Sequence, residues 1–180
     1  MRTIFLILII FILVQQHAYT EPKIIKKISE TTNFAFDFEQ LISNKKETGN
    51  CIISFNNKMI CKYDETEKLI VSNGKTLLIK NKNSNFANTY KTENTYFKYF
   101  LNKGFLISKI EGNVVEKEQN FLLSIDDQTN QLNIFFDKNN HLIKGWETID
   151  LYGNKVRTNI VVKNINQELS DSIFNLNLYN

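Results

Sequence analysis

One proline, two histidines, two cysteines and six glycines in 180 residues leave little material for several classes of protein. Pro22 is the only proline and no linker, repeat or low-complexity segment interrupts the chain, so a single domain is the natural count. The glycines stand singly, which excludes a phosphate-cradling loop. Gly74-Lys75-Thr76 looks like the end of one, but the preceding glycine and the following helix are missing. His141 is the only histidine beyond the first twenty residues and sits in a Lys-Asn-Asn-His turn, so it reads as a solvated turn residue. Without a Gly-x-Ser-x-Gly elbow, no nucleophile, base and orienting group can be assembled. The pairs Asp64-Glu65 and Asp126-Asp127 stand beside turn residues, where carboxylates face solvent. No catalytic, metal or cofactor site is expected, and the protein reads as something other than an enzyme.

Long apolar runs are also lacking. The longest, Ile4 to Val14, has eleven residues, whereas a membrane-spanning helix needs roughly 20. It follows Arg2 and precedes Gln15, Gln16, His17 and Ala18-Tyr19-Thr20, the three-part pattern of a secretory signal. Residues 1–20 are thus expected to be a signal peptide cut after Thr20, with residues 21–180 the working domain. No cysteine follows the apolar run, so a lipid anchor is not expected. Arginine is nearly absent as well: only Arg2 and Arg157 stand among the 22 basic residues, a bias in keeping with an AT-rich genome. Removing Arg2 leaves 21 basic against 19 acidic residues, a net +2. That is too mild to argue for nucleic acid or an anionic membrane as the main partner. Cys51 and Cys61 are the only cysteines. An exported chain could join them in one disulfide across a hairpin, or keep two buried thiols.

What is present is alternation. After a short helix with Ile24, Ile25 and Ile28 on one face and Thr20 or Glu21 as its cap, Phe34, Phe36 and Phe38 share one strand face. Gly49–Phe55 and Met59–Tyr63 follow around the turn Asn56-Asn57, then Leu69–Ser72, Asn73-Gly74 and Thr76–Lys80. Both faces of that last pair are apolar, so alternation leaves its inward side open. Residues 81–88 read as a loop, and Thr92–Asn102 as a helix ended by Gly104, with a second short helical or irregular piece over 105–110. Five further strands follow: 113–117, 120–125, 131–136, 142–151 and 155–162. Leu169–Leu178 forms a tail expected to seal the sheet edge. The sum is a mainly β chain of about ten consecutive strands, curled into an open antiparallel barrel with short helices over its mouth.

Four ordered segments carry a resemblance. Leu69-Ile70-Val71-Ser72-Asn73-Gly74-Lys75-Thr76-Leu77 is similar to the most recognisable strand pair of the periplasmic outer-membrane lipoprotein carriers, the LolA family. Asp37-Phe38-Glu39-Gln40, Gly49 to Tyr63 (with Lys58, Met59 and Tyr63 in place) and Asp150 to Val162 with the ending Leu169–Phe174 resemble other strands of that family. The resemblance covers nearly all of the expected mature chain. It implies an incomplete, strongly bent antiparallel barrel closed by lid helices, whose interior holds lipoprotein acyl chains. It further implies a monomer in the periplasm that receives cargo from an inner-membrane lipoprotein-releasing transporter and delivers it to an outer-membrane receptor or the outer membrane itself. Cavity candidates are Phe34, Phe36, Phe38, Ile53, Phe55, Met59, Tyr63, Val71, Leu78, Phe97, Phe100 and Leu101. A related lipid-binding or envelope-stress-sensing protein with the same fold is the other reading. The chain departs from the family at Phe55-Asn56, where Arg-Pro is usual, and at Ile60, a second common arginine position. It also lacks the proline before the lid helix, near Tyr90 to Thr95. The family arginine is associated with holding the lid closed, so the resemblance leaves that function without its residue.

Overall fold

A computed structural model describes residues 20–179, apart from 56, 83, 85, 128, 129, 151 and 152. The expected signal peptide, Thr20 excepted, lies outside the described residues, as does part of the turns at 56–57, 127–130 and 152–154. Among the described residues no helix is long and apolar enough to cross a membrane.

Helix α1 (Thr20–Glu30) buries Ile24 and Ile28, four apart and so on one face. Six strands follow: β1 (Asn33–Ile42), β2 (Lys45–Ser54), β3 (Lys58–Tyr63), β4 (Leu69–Asn73), β5 (Thr76–Lys80) and β6 (Asn88–Lys91). A 3-10 turn (Thr92–Asn94) and helices α2 (Phe97–Leu101) and α3 (Lys103–Ile110) lead to β7 (Val114–Glu116), β8 (Phe121–Asp127), β9 (Asn130–Phe136), β10 (Ile143–Ile149) and β11 (Lys155–Ile165). All eleven strands form one antiparallel sheet in the order β6-β5-β4-β3-β2-β1-β11-β10-β9-β8-β7. β1 pairs with β2 on one side and with β11 on the other, so the first and last strands meet at its middle. The sheet's two edges, β6 and β7, are the strands that α2 and α3 connect. The lid is therefore the strap between the edges of an unclosed, bent sheet.

Several sequence expectations change. The count is eleven strands because Asn88–Lys91, all four exposed, pairs with β5 without any apolar alternation to announce it. Gly104 does not stop a helix; it lies inside α3. The break falls at Asn102, whose extended backbone lets its Oδ1 accept from Phe105 N–H at 3.0 Å and cap α3. Glu21 directs its carboxylate across the fold rather than to its own helix, accepting from Gly112 and Val114 N–H at 2.9 and 3.1 Å. The Ser72-Asn73-Gly74 hairpin turns one residue later than the Asn-Gly pair suggests. Gly74 takes the first central position at φ 100°, and Asn73 Oδ1 accepts from Lys75 and Thr76 N–H. The tail does not seal an edge. Phe174 buries itself on the outer face of β3 and β4 against Ile60 and Val71, with Ile173 and Leu176 beside it. Two pairs of hydrogen bonds steer it there: Asn33 with Gln167, and Asn166 with Thr32 and Glu30.

Gly49 marks a tight place. A Cβ there would meet Lys62 O at 2.1 Å and the Phe38 ring at 2.7 Å. Opposite Cys51 in register stands Cys61, and the two are joined by a disulfide enclosing a ten-residue separation. Gly49→Ala is expected to cost about 1–3 kcal/mol by overpacking, read as a lowered thermal midpoint; an unchanged midpoint would refute the tight fit against the Lys62 backbone. Removing the crosslink with reductant is expected to cost about 2–3 kcal/mol for a loop of this length. Alkylation under denaturing conditions before and after reduction checks the bond, and thiols free beforehand would disprove it.

Candidate functional site

The inner face of the bent sheet is an aromatic and aliphatic wall. Its rows run across the strands: Phe34, Ile53 and Met59 in one, Phe36, Cys51, Cys61 and Ile70 in the next. Phe38 follows with Tyr63 edge-on at 4.8 Å. β10 adds Trp146, whose ring meets Phe36 edge-on at 6.1 Å and the lid residue Phe100 at 5.0 Å. Phe97, Phe100 and Leu101 of α2 are buried in this same core, as is Phe55, 5.7 Å from Phe34. Ten of the twelve cavity candidates thus come together. Val71 and Leu78 do not: they oppose each other in register on the outer face, where Val71 packs under Phe174. The inward members of β4 and β5 are Ile70, Ser72, Leu77 and Ile79, the choice that alternation left open.

One end of the interior is polar. Gln40 Nε2 donates to Thr158 Oγ1 at 2.9 Å, and Tyr63 Oη donates to Gln40 Oε1 at 3.4 Å. Next to Gln40 in register, buried Glu47 accepts from Lys45 at 2.7 Å and Lys68 at 3.0 Å, while Lys68 Nζ also lies 3.7 Å from the centre of the Tyr63 ring. Burial pushes the Tyr63 phenol far above its usual range, so it stays a neutral donor. Trp146 is 7% exposed and its indole N–H meets no acceptor among the described residues.

The lid is tied at both ends. Where the chain leaves β6, Thr92 N–H donates to Lys75 O at 2.9 Å, and the Thr92 hydroxyl lies 3.2 Å from the fully buried Ser72 hydroxyl. Where it reaches β7, the Glu21 carboxylate holds Gly112 and Val114, and Lys103 Nζ donates to Ser29 O at 3.1 Å. At the family's arginine positions, Phe55 packs into the core beneath Lys103, 5.4 Å from its ring, and Ile60 faces outward. The helical segment is held instead by hydrogen bonds to α1 and β4 at its two ends.

With the lid in place the cavity among Phe36, Phe38, Met59, Tyr63, Phe97 and Trp146 measures ≈ 20 Å³, room for about one water. Larger hollows of ≈ 640 and ≈ 420 Å³ open on the outer face by Asp37, Glu39 and Asn159 and by Asn140 and Lys163, but they are shallow and bathed in solvent. The interior is the better candidate because its wall is apolar and sheltered. Sequence reasoning missed Trp146, Gln40, Thr158 and Glu47. A bulge between Ile143 and Gly145 breaks the period in β10, and polar residues on an inner face carry no alternation signal. His141 is not freely solvated: it stacks on Phe121 at 6.0 Å, and its pKa is lowered by burial and then by Lys23, against Asp137. Asp64 and Glu65 both accept from the exposed Thr48 hydroxyl, a turn clasp.

Residues 29–177 match the family model of the outer membrane lipoprotein carrier protein LolA. No curated protein sequence matches the chain. Among solved structures, it is similar to a LolA superfamily protein from Nitrosomonas europaea, with 10% identity and a TM-score of 0.47 over 89% of this chain and 99% of that one. A putative outer membrane lipoprotein-sorting protein domain from Vibrio parahaemolyticus has 10% identity and a TM-score of 0.49 over 88% and 97%. A DUF1329 family protein from Desulfovibrio piger has 7% identity and a TM-score of 0.49 over 89% and 98%.

Burial raises the Glu47 pKa, but the hydrogen bonds and charges of Lys68 and Lys45 outweigh it and leave the carboxyl below its ordinary value of 4.5. Because the folded value is the lower one, this cluster stabilises fully above the ordinary value and loses its effect as pH falls through the folded value. Glu47→Gln is therefore expected to flatten the acid side of a plot of thermal midpoint against pH; an unchanged acid limb would refute the assignment.

Proposed function

The chain belongs to the LolA family of outer membrane lipoprotein carriers, and from that premise we propose that it is an exported periplasmic chaperone for lipoproteins. Residues 1–20 direct export and are removed. The domain takes the acyl chains of a lipoprotein from an inner-membrane lipoprotein-releasing transporter and yields them to an outer-membrane receptor or to the outer membrane. The work is binding and release, with no chemical step.

The observation that supports this reading is the make-up of the core: an aromatic wall on the sheet and, packed against it, the side chains of the lid helix α2. A site for acyl chains needs several hundred Å³, in the roughly 300–1,000 Å³ range of ordinary ligand pockets. Loading therefore requires Phe97, Phe100 and Leu101 to leave. Exposing three such side chains costs roughly 5–9 kcal/mol at about 1.5–3 kcal/mol each. Burying ten methylenes returns about 8 kcal/mol. One acyl chain thus roughly balances the plug, and a ligand with two or three chains displaces it.

Mass spectrometry of the protein isolated from the periplasm of its own cell, or of one making its natural lipoproteins, tests the proposal. A bound acylated lipopeptide is the expected finding, enriched when Phe100→Ala removes part of the plug. Free lipid alone would move the function to another envelope lipid, and no acyl ligand in either protein would overturn it.

A further inference from the structure

On the inner wall of the sheet, the indole N–H of Trp146 is a buried polar group that a purely hydrocarbon ligand leaves unexplained. A buried indole N–H without an acceptor is costly, and cores usually place tryptophan only where that N–H finds a partner. Here Trp146 lines the same void as Gln40, Tyr63 and Thr158, and these side chains form the polar end of an otherwise greasy wall. The lid residue Phe100 packs against its ring, so withdrawing the lid uncovers Trp146 directly. Gln40 donates to Thr158 and Tyr63 donates to Gln40, whereas the indole N–H has no acceptor among the described residues.

We infer that the acyl site has a carbonyl anchor: the indole N–H of Trp146 donates to an ester or amide carbonyl of the acyl group, at the Gln40–Thr158 end, while the chain runs along Phe36, Ile53 and Met59. The inference deepens the acyl-binding reading and depends on it. An N–H without an acceptor is answered by a carbonyl oxygen and not by a methylene chain. The ligand class is therefore an acyl ester or amide, such as the acylated end of a lipoprotein, in preference to a hydrocarbon.

The test compares dioctanoylglycerol with its dioctyl ether, which match in chain length and differ in carbonyls. Calorimetric titration of the folded protein is expected to show the diester binding about tenfold more tightly, the scale of one satisfied buried donor. Trp146 is the only tryptophan in the chain, so its emission should shift further with the diester than with the diether. Trp146→Phe keeps a ring without the N–H and should bring the diester-to-diether ratio close to one. Equal affinities for wild-type protein would overturn the anchor while leaving acyl binding intact, as would a preference that survives in Trp146→Phe. Binding of neither glyceride would overturn the acyl-binding reading and the anchor with it. The wild-type pair and its emission decide the matter even where the variant folds poorly.

Discussion

Everything in this fold follows from the pairing of β1 on both sides. Because β2 and β11 take its two edges, the chain's first and last strands lie together in the middle of the sheet and its two halves run outward to β6 and β7. Those edges do not pair, and the segment joining them in sequence is the helical lid. β1 also carries Phe34, Phe36 and Phe38 inward, so the most aromatic strand stands at the centre of the bend, where an apolar face has the greatest need of cover. Sheet, opening and plug are one solution to burying that face.

The two faces of the sheet are covered by different elements. On the outer face, the C-terminal tail lays Phe174 over Ile60 and Val71 and is fastened by Lys58 to Asp171 and by the asparagine bonds near Asn33. That cover has many anchors in both side chain and backbone. The inner face is covered by α2, a helix of five residues whose neighbours hold it through a handful of hydrogen bonds at its two ends. Its burial is deep all the same: Phe97, Tyr99, Phe100 and Leu101 all pack into the main core. The disulfide sits within the wall itself, between β2 and β3.

Charge is placed sparingly inside. Glu47 is the buried carboxylate at the polar end, and two lysines answer it. Pairing of this kind holds a charge in the interior at little net gain in stability, while removing one partner would be costly. The effect is to keep that end polar, with its buried carboxylate held between two cations.

The alternation of Phe34, Phe36 and Phe38, the Cys51–Cys61 spacing and the Asn73-Gly74 turn were enough to establish a bent antiparallel sheet, and the order of the segments its family. Of the ten candidates that pack together in the core, Phe34, Phe36, Phe38, Ile53, Phe55, Met59 and Tyr63 were legible from alternation, since a period of two assigns a face whenever one face is polar. Phe97, Phe100 and Leu101 were legible from a helical spacing. Where both faces are apolar, as in Leu69–Ser72 and Thr76–Lys80, the period is silent, and Val71 and Leu78 turned outward because the tail supplies a second apolar layer there. Trp146, Gln40 and Glu47 stayed hidden, one behind a bulge and two because inward polar residues mimic outward ones. The β1–β11 pairing, the outer bed of Phe174 and the grip of Glu21 on Gly112 and Val114 join residues far apart in the chain. Local pattern determines which side of its own strand a residue faces. Only the tertiary structure decides what stands across from it, since those contacts form when the whole sheet bends and the edges are strapped together.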